Sequence, residues 1–372
     1  MGLFNSTSLK ERSLVGEVVW QAPSNLALIK YWGKKGQQLP ANPSLSMTLR
    51  QSVTTLEAQF SLMPDSHQAV SDLWEFQFQG ESSNTFDKKI FAHLETMASY
   101  YPFLLRTKLN LRSRNSFPHS AGIASSASAS MSTALLVEGL ASLLRGQKIE
   151  KSDPMFLRRA SFLARLGSGS AARSAFPTGA LWGKATNHDS SSDEWAVGVE
   201  SDLPYLKNLE DMILVVDESK KKVSSREGHA LMNQHPYRDA RYAQARERLE
   251  DLWHLISKAS RSEDFHLFGP IIEAEAMDLH SLMMSSVPPV VLMAPATLAI
   301  ILALWEWRKS SNVPAYFTLD AGPNLHLLYP KAVEPAVQEF KKIISEKNLL
   351  PSQIIYDGVG SGPQLLRLDL KA

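Results

Sequence analysis

The sequence predicts an α+β protein of two domains, and three observations carry that expectation. Strand-like and helix-like segments do not alternate as regular βαβ units, which disfavours a doubly wound sheet. The character of the chain changes around Leu203–Asp211, where a buried strand and then a long helix-rich section begin. At 372 residues the chain exceeds one ordinary domain and is long enough for two cores. The expected boundary lies near residue 205, giving an N-terminal domain over 1–205 and a C-terminal domain over 206–372.

The elements follow in order. Val15–Trp20 reads as a strand, and Ala22–Gly36 after it mixes small, apolar and basic residues. Val53–Phe60 and Leu73–Phe78 alternate as strands do. In Asp87–Tyr100, Ile90, Phe91, Leu94 and Met97 share one helical face, and Lys108–Ser113 is a short strand. The small-residue run Ser120–Ser132 leads into an apolar helix ending near Leu144 and Gly146, and Pro154–Leu166 is another helix. Ala180–Lys184 and Trp195–Val199 suggest paired strands around an exposed turn at Asp189–Asp193. Met212–Asp217 (MILVVD) is a buried strand, followed by helices over Tyr237–Ser260 and Asp264–Met284. Val287–Trp305 is strongly apolar, but Pro288, Pro289 and Pro295 break it. The uninterrupted part, Ala296–Trp307, is too short to cross a bilayer. A buried helix starting after Pro295 is expected there, with Thr297 as a cap and Arg308–Asn312 as its end. Tyr316–Asp320 and Leu325–Tyr329 flank a Gly-Pro turn as strands; Val333–Glu346 is a helix and Gln353–Tyr356 a short strand.

Composition narrows the functional classes. Hydrophobic residues make up 44% and charged residues 21%, which excludes wholesale disorder. Lys+Arg count 39 against Asp+Glu 38, so no global field points to nucleic acid or a membrane surface, while a local basic pocket for a small anion stays open. Cysteine is absent, which removes disulfides, thiolate metal sites, Fe–S clusters and a cysteine nucleophile, and favours a cytoplasmic protein. The start, MGLFNSTSLKERS, has no apolar core of a signal peptide and fits the myristoylation pattern only formally.

Five segments carry chemistry. In Pro118–Ala129 (PHSAGIASSASA), small residues let the backbone approach a ligand, and a helix beginning there would point free N–H groups at it. The composition suits a phosphate cradle, although no Gly-Lys-Ser/Thr ends it; a small-residue helix packed on a neighbour is the other reading. In Arg165–Ser174 (RLGSGSAARS), two serines and Arg173 suit an anionic oxygen group, or else a solvated surface turn. In Ala22–Lys35, basic residues alternate with aromatics, as at a strand end with snorkelling lysines. Thr318–Asn324 places Asp320 at a strand-to-turn junction, where Asp is ordinarily a turn residue. Lys222–Gly228 is polar and basic after a buried strand, as a solvated loop would be.

Taken in order, NLALIKYWGKK, GIASSASA, RLGSGSAARS, VSSREG and YFTLDAGPNLHLLYP resemble the diphosphomevalonate decarboxylase branch of the GHMP kinase superfamily, from about Ala22 to Pro363. The resemblance implies a ribosomal-protein-S5-domain-2-like N-terminal domain and a ferredoxin-like C-terminal domain, with the active site in the cleft between them. It implies ATP as co-substrate with Mg²⁺, mevalonate 5-diphosphate as substrate, and a homodimer, with no nucleic-acid or membrane partner. It assigns ATP phosphates to Gly122, Ala124, Ser125, Ser126 and Ser128. The substrate's diphosphate goes to Tyr31, Lys34, Ser168, Ser170 and Arg226, and its carboxylate to Arg173 and Asn25. Asp320 would face the tertiary 3-hydroxyl with Lys30 nearby, so Asp320, Lys30 and Arg173 form the expected catalytic set; metal ligands are not assigned. Three positions depart from the family pattern, His119 for its usual Thr, Ser120 for its usual Ala and His229 for its usual Met, and an insertion lengthens the section between the phosphate loop and Gly167. A GHMP-type small-molecule kinase or a decarboxylase of mevalonate 5-phosphate is the alternative.

Overall fold

The structure, a computed structural model, describes residues 4, 13–62, 73–82, 84–118, 123–217 and 225–371, the side chains of Asn84, Ser225 and Arg226 excepted. The strands are β1 (Leu14–Ala27), β2 (Lys34–Lys35), β3 (Leu39–Pro40), β4 (Ser44–Leu62), β5 (Trp74–Phe78), β6 (Thr107–Asn115), β7 (Gly179–Trp182), β8 (Ala196–Gly198), β9 (Leu209–Val215), β10 (Tyr316–Leu319), β11 (Leu325–Pro330), β12 (Gln353–Gly358) and β13 (Gln364–Lys371). The helices are α1 (Asn84–Ala98), α2 (Ser125–Leu144), α3 (Pro154–Gly167), α4 (Ser225–Leu231), α5 (Arg238–Lys258), α6 (Phe265–Met284), α7 (Pro295–Ser311) and α8 (Glu334–Glu346).

The first sheet has seven strands in the order β13-β1-β4-β6-β5, with β7 on the lower part of β4 and β8 on β7. Its central strand serves two cores. In the second half of β4, Leu56, Ala58, Phe60 and Leu62 pack with α1, α2 and α3; in its first half, Leu45, Met47 and Leu49 join Leu209, Ile213, Leu249 and Phe265 from the other half of the chain. β4 therefore begins nine residues before the expected Val53, and β1 runs on to Ala27 through the stretch expected to be mixed. The alternation Ser44-Leu45-Ser46-Met47-Thr48-Leu49 is a strand signal, but all six positions are buried, so no solvated face marks it.

Helix α2 crosses this core. Ala127, Ser128, Ser130, Ser132 and Ala134 are small enough for close approach to the sheet. Among the described residues α2 is the one helix long and apolar enough to cross a membrane, yet 94% of its apolar window is buried inside the protein, as in a core helix. Its lone acid, Glu138, is fully buried and satisfied by Tyr101 (2.5 Å), Arg145 (2.5 Å) and Arg159 (2.6 Å).

The second sheet is antiparallel in the order β10-β11-β9-β12. In chain order its strands read 4-1-3-2 across the sheet, with helices between the first and second strands and between the third and fourth, which is the ferredoxin-like arrangement. Met212 and Leu214 of β9 face α7 and α8, and Ile213 and Val215 face the first half, so β9 reads as a continuous apolar run. Helix α7 begins at Pro295 as expected. Thr297 acts from inside the first turn, its hydroxyl accepting the Ala294 N–H (3.2 Å), and Asn312 ends the helix in the left-handed region (φ 54°). The segment expected as a solvated loop is helical at Ser225–Leu231, while residues 218–224 lie outside those described.

Two features tie the halves together. β13, absent from the sequence expectations, pairs with β1, so the expected 206–372 domain contributes its last strand to the first sheet. At the bend of β4, the buried carboxylate of Asp357 accepts the backbone N–H groups of Arg50, Gln51 and Ser52 (2.8 Å each) and of Gly358 (2.7 Å). Asp357→Ala orphans these donors at about 1–3 kcal/mol each for those left dry. We expect thermal unfolding to show a loss of about 3 kcal/mol or more; an unchanged melting temperature would mean that β4 bends without this latch.

Candidate active site

The segment leaving β1 meets the end of β10. Lys30 Nζ donates to Asp320 Oδ1 at 2.8 Å, the lysine side chain 3% exposed and the carboxylate 24%. Burial lowers the Lys30 pKa, Asp320 opposes that shift, and nearby Arg173 adds to it. The Lys30 main chain is held by groups remote in sequence. Its N–H donates to Glu275 Oε2 (2.8 Å), and its carbonyl accepts from Arg241 Nη2 (2.9 Å) and Asn42 Nδ2 (3.0 Å). Arg241 and Glu275 also pair as a buried two-bond fork (2.7 and 2.6 Å). On the other side, His280 Nε2 donates to the Asp320 carbonyl (3.2 Å); burial lowers the His280 pKa to about 4, so the ring is neutral. The turn after Asp320 is fixed by Asn324, whose Oδ1 accepts the Val216 and Asp217 N–H groups (2.7 and 3.0 Å). Asp320 is therefore more than a turn residue: its carboxylate is aimed at a buried ammonium.

Arg173 is not on a surface turn. It lies in a buried 3₁₀ segment, Gly169–Ala175, that packs under β1 and β7. Gly169 is needed there, because a Cβ would meet the Tyr31 hydroxyl at 2.9 Å and the Trp182 ring at 3.0 Å. Arg173 Nε donates to Asn25 Oδ1 (3.2 Å) and Nη1 to the Ser44 hydroxyl, while the guanidinium lies 5.4 Å from the Tyr31 ring centre. Its Nη2 makes no hydrogen bond among the described residues. Asn25 spends its amide on the Ser170 carbonyl (3.0 Å) and Ser174 Oγ (2.8 Å), so it orients Arg173.

Three serines bridge the two loops. Ser126 Oγ, in the first turn of α2, stands 3.3 Å from Ser168 Oγ, which stands 3.3 Å from Ser170 Oγ. This places the N-terminal end of α2, with its free N–H groups, beside Ser168 and Ser170. Ala124 enters the helix in the left-handed region (φ 43°), and Ser24 Oγ holds the loop by donating to the Ile123 carbonyl (2.6 Å). Ser125 is half-buried. Ser128 does not join them: it is fully buried, with its hydroxyl 2.6 Å from Thr54 Oγ1 on β4, because two residues beyond Ser126 it lies about 200° round the helix, on the face away from the loop. Gly122 lies outside the described residues, and Arg226 is placed on α4 by its backbone alone. Lys34 is half-buried, Nζ donating to Gln38 Oε1 (2.6 Å). Tyr31 packs edge-on to Trp182 (4.9 Å), and burial pushes its pKa up to about 12, so it stays a neutral donor.

The structure thus brings together Lys30, Asp320, Arg173, Asn25, Tyr31, Lys34, Ser126, Ser168 and Ser170. Sequence reasoning missed Glu275, Arg241, Asn42 and Ser44. Glu275 carried a signal, an acid within the apolar run of α6; Arg241 sits in the charged α5 and carried none.

Comparison with known proteins gives one consistent answer. A family model described as diphosphomevalonate decarboxylase-like N-terminal domain matches residues 22–193, and one for the mevalonate 5-diphosphate decarboxylase C-terminal domain matches 211–355. The chain is 30% identical over 363 residues to the diphosphomevalonate decarboxylase of Candida albicans, covering 92% of this chain and 96% of the relative. It is 32% identical over 335 residues to that of Ganoderma lucidum, covering 83% and 77%. Among solved structures, mevalonate diphosphate decarboxylase from Staphylococcus aureus superposes with a TM-score of 0.77 at 28% identity, covering 95% of this chain and 98% of its own. A structure described as MDDEF in complex with MVAPP, AMPPCP and magnesium gives 0.76 at 27% identity, covering 96% and 100%. These likenesses bear out the expected α+β, GHMP kinase-like fold.

Proposed function

The chain belongs to the diphosphomevalonate decarboxylase family, and from that premise we propose how its residues carry out ATP-dependent decarboxylation of mevalonate 5-diphosphate to isopentenyl diphosphate. The observation that carries the reading is the Lys30–Asp320 ion pair, set beside the open end of Arg173 and the three-serine bridge. Asp320 orients the 3-hydroxyl and takes its proton as the oxygen attacks the γ-phosphorus of ATP and the bond to ADP breaks. Lys30 steadies the carboxylate and the transferring phosphoryl group by charge. A tertiary hydroxyl is a poor leaving group and its phosphate ester a good one. The bond from C2 to the carboxylate then breaks as CO₂ leaves, its electron pair forms the new alkene with C3, and the C3–O bond breaks to release phosphate. Arg173, held by Asn25 and Ser44, fixes the carboxylate so that this bond lines up with the leaving oxygen.

Tyr31, Lys34, Ser168 and Ser170, with Arg226 from α4, take the substrate's diphosphate, and the N-terminal end of α2 with Ser125 and Ser126 takes the ATP phosphates. Among the described residues no three His, Asp or Glu side chains converge as a metal cage. The hydroxyl-rich cluster fits a Mg²⁺ ion borne chiefly by phosphate oxygens, with Ser126 or Ser168 as protein donor; when bound it supplies charge neutralisation. The same reading makes the protein a cytoplasmic homodimer; the cysteine-free composition supports the compartment.

Incubation with ATP, Mg²⁺ and carboxyl-labelled mevalonate 5-diphosphate tests the proposal. Labelled CO₂ and ADP are expected in equal amounts, with little turnover of mevalonate 5-phosphate. ADP without CO₂ would make the enzyme a kinase, and preference for the monophosphate would reassign its substrate.

A further inference from the structure

The main chain of the Lys30–Gly33 segment is gripped at both ends by the other half of the protein. Glu275 and Arg241 hold Lys30, and at the far end the Gly33 N–H donates to Nδ1 of His229, on α4, at 3.1 Å. The His229 ring also packs on both neighbouring aromatics, 4.6 Å from Tyr31 at 27° and 4.5 Å from Trp32 at 33°. The fit leaves no slack. Gly33 has φ +102°, and a Cβ there would meet the Tyr242 hydroxyl at 2.1 Å; a Cβ on Gly228 would meet the Trp32 ring at 2.9 Å. His229 is 6% exposed.

We propose that His229 is a positioning residue that sets the Tyr31–Lys34 segment against α4 and thereby sets affinity for the phosphate end of the substrate. This rests on the reading above that Tyr31 and Lys34 take the substrate's phosphates.

The chemistry is specific to a neutral imidazole. Accepting an N–H requires a lone pair on Nδ1, which fixes the proton on Nε2. Burial, then the positive charges of Lys34 and Arg173, hold the pKa well below its ordinary value, so the lone pair is kept. Methionine fills similar space but accepts a hydrogen bond only weakly. Phenylalanine reproduces the stacking and accepts none. Asparagine keeps an acceptor and loses the stacking. Because Lys30 is clamped separately, loosening Gly33 should reach the phosphate contacts and spare the Lys30–Asp320 pair.

The test compares His229→Phe, His229→Met and His229→Asn with the wild-type enzyme. His229→Phe and His229→Met should raise KM for mevalonate 5-diphosphate about tenfold, the effect of one lost buried hydrogen bond, with kcat within about twofold. His229→Asn should recover part of that affinity. ¹⁵N NMR of the wild-type imidazole should show Nδ1 unprotonated and Nε2 protonated at neutral pH. Calorimetry with mevalonate 5-diphosphate alone separates the two levels of the argument. No binding by the wild-type protein overturns the functional reading and this inference with it. Normal wild-type binding with equal affinity in His229→Phe overturns the inference alone, as does a loss confined to kcat. If His229→Phe folds poorly by thermal melting, His229→Met and the NMR tautomer decide.

Discussion

Asp320→Asn is expected to lower turnover by roughly 10²-fold or more while substrate binding stays nearly intact, the usual scale for removing a positioned acid–base group. The substitution preserves shape and removes charge and basicity, and both matter at this position. Asp320 is the carboxylate paired with a buried lysine, and it is the main group, ahead of Glu275, that opposes the lowering of the Lys30 pKa by burial. Without it, the Lys30 ammonium is left buried without its counter-charge and loses protons more readily. The variant thus removes the base and weakens the neighbouring cation together. Asp357→Asn is the informative companion, because that carboxylate holds backbone N–H groups at the bend of β4. Its loss should appear as lower melting temperature with near-normal turnover per folded molecule. Near-wild-type turnover in Asp320→Asn would remove this carboxylate from the chemistry.

Arg173→Ala is expected to lower kcat/KM by roughly 10²–10³-fold, since truncating one member of a buried, hydrogen-bonded charge pair costs about 2–5 kcal/mol. Its Nε and Nη1 are spent on Asn25 and Ser44, and those bonds aim the remaining end of the guanidinium. Arg173→Lys should fail almost as badly, because an ammonium cannot hold Asn25, Ser44 and a carboxylate at once. Arg114 provides the contrast: 61% exposed and paired with Glu57 at 2.7 Å, it forms a surface ion pair whose loss should leave kcat/KM unchanged. Equal, small losses in the Arg173 and Arg114 variants would take Arg173 out of the site.

How much of this was legible in the sequence follows from where each residue gets its partner. Asp320, Lys30 and Arg173 stood in compact local motifs, and the structure brings them together. Helix α7 was legible because Pro295 and Asn312 punctuate it chemically. Ser128 was misplaced because a run of alternating serines does not say which hydroxyl faces the loop and which faces β4. Arg241 was invisible: within RDARYAQARERLEDL a buried arginine looks like its solvated neighbours until its partner, 34 residues away on α6, is known. The first half of β4 was missed for a different reason. Its two faces are both buried, one against the second core and one against the polar floor of the site, so the usual contrast between wet and dry faces is lost.

The pairing of β13 with β1 has a consequence for how the protein is made. Strand β1 is translated before the ferredoxin-like unit and β13 after it, yet they are neighbours in one sheet. As the chain leaves the ribosome, the first sheet has to wait, with one edge of β1 unfilled, until the whole ferredoxin-like unit has emerged. That unit is in effect inserted between two strands of its partner, so it can close its own four-stranded sheet before the surrounding domain is complete. Such long-range closure is entropically costly and slow. During that interval the open edge of β1 is the surface at greatest risk of pairing with the wrong chain.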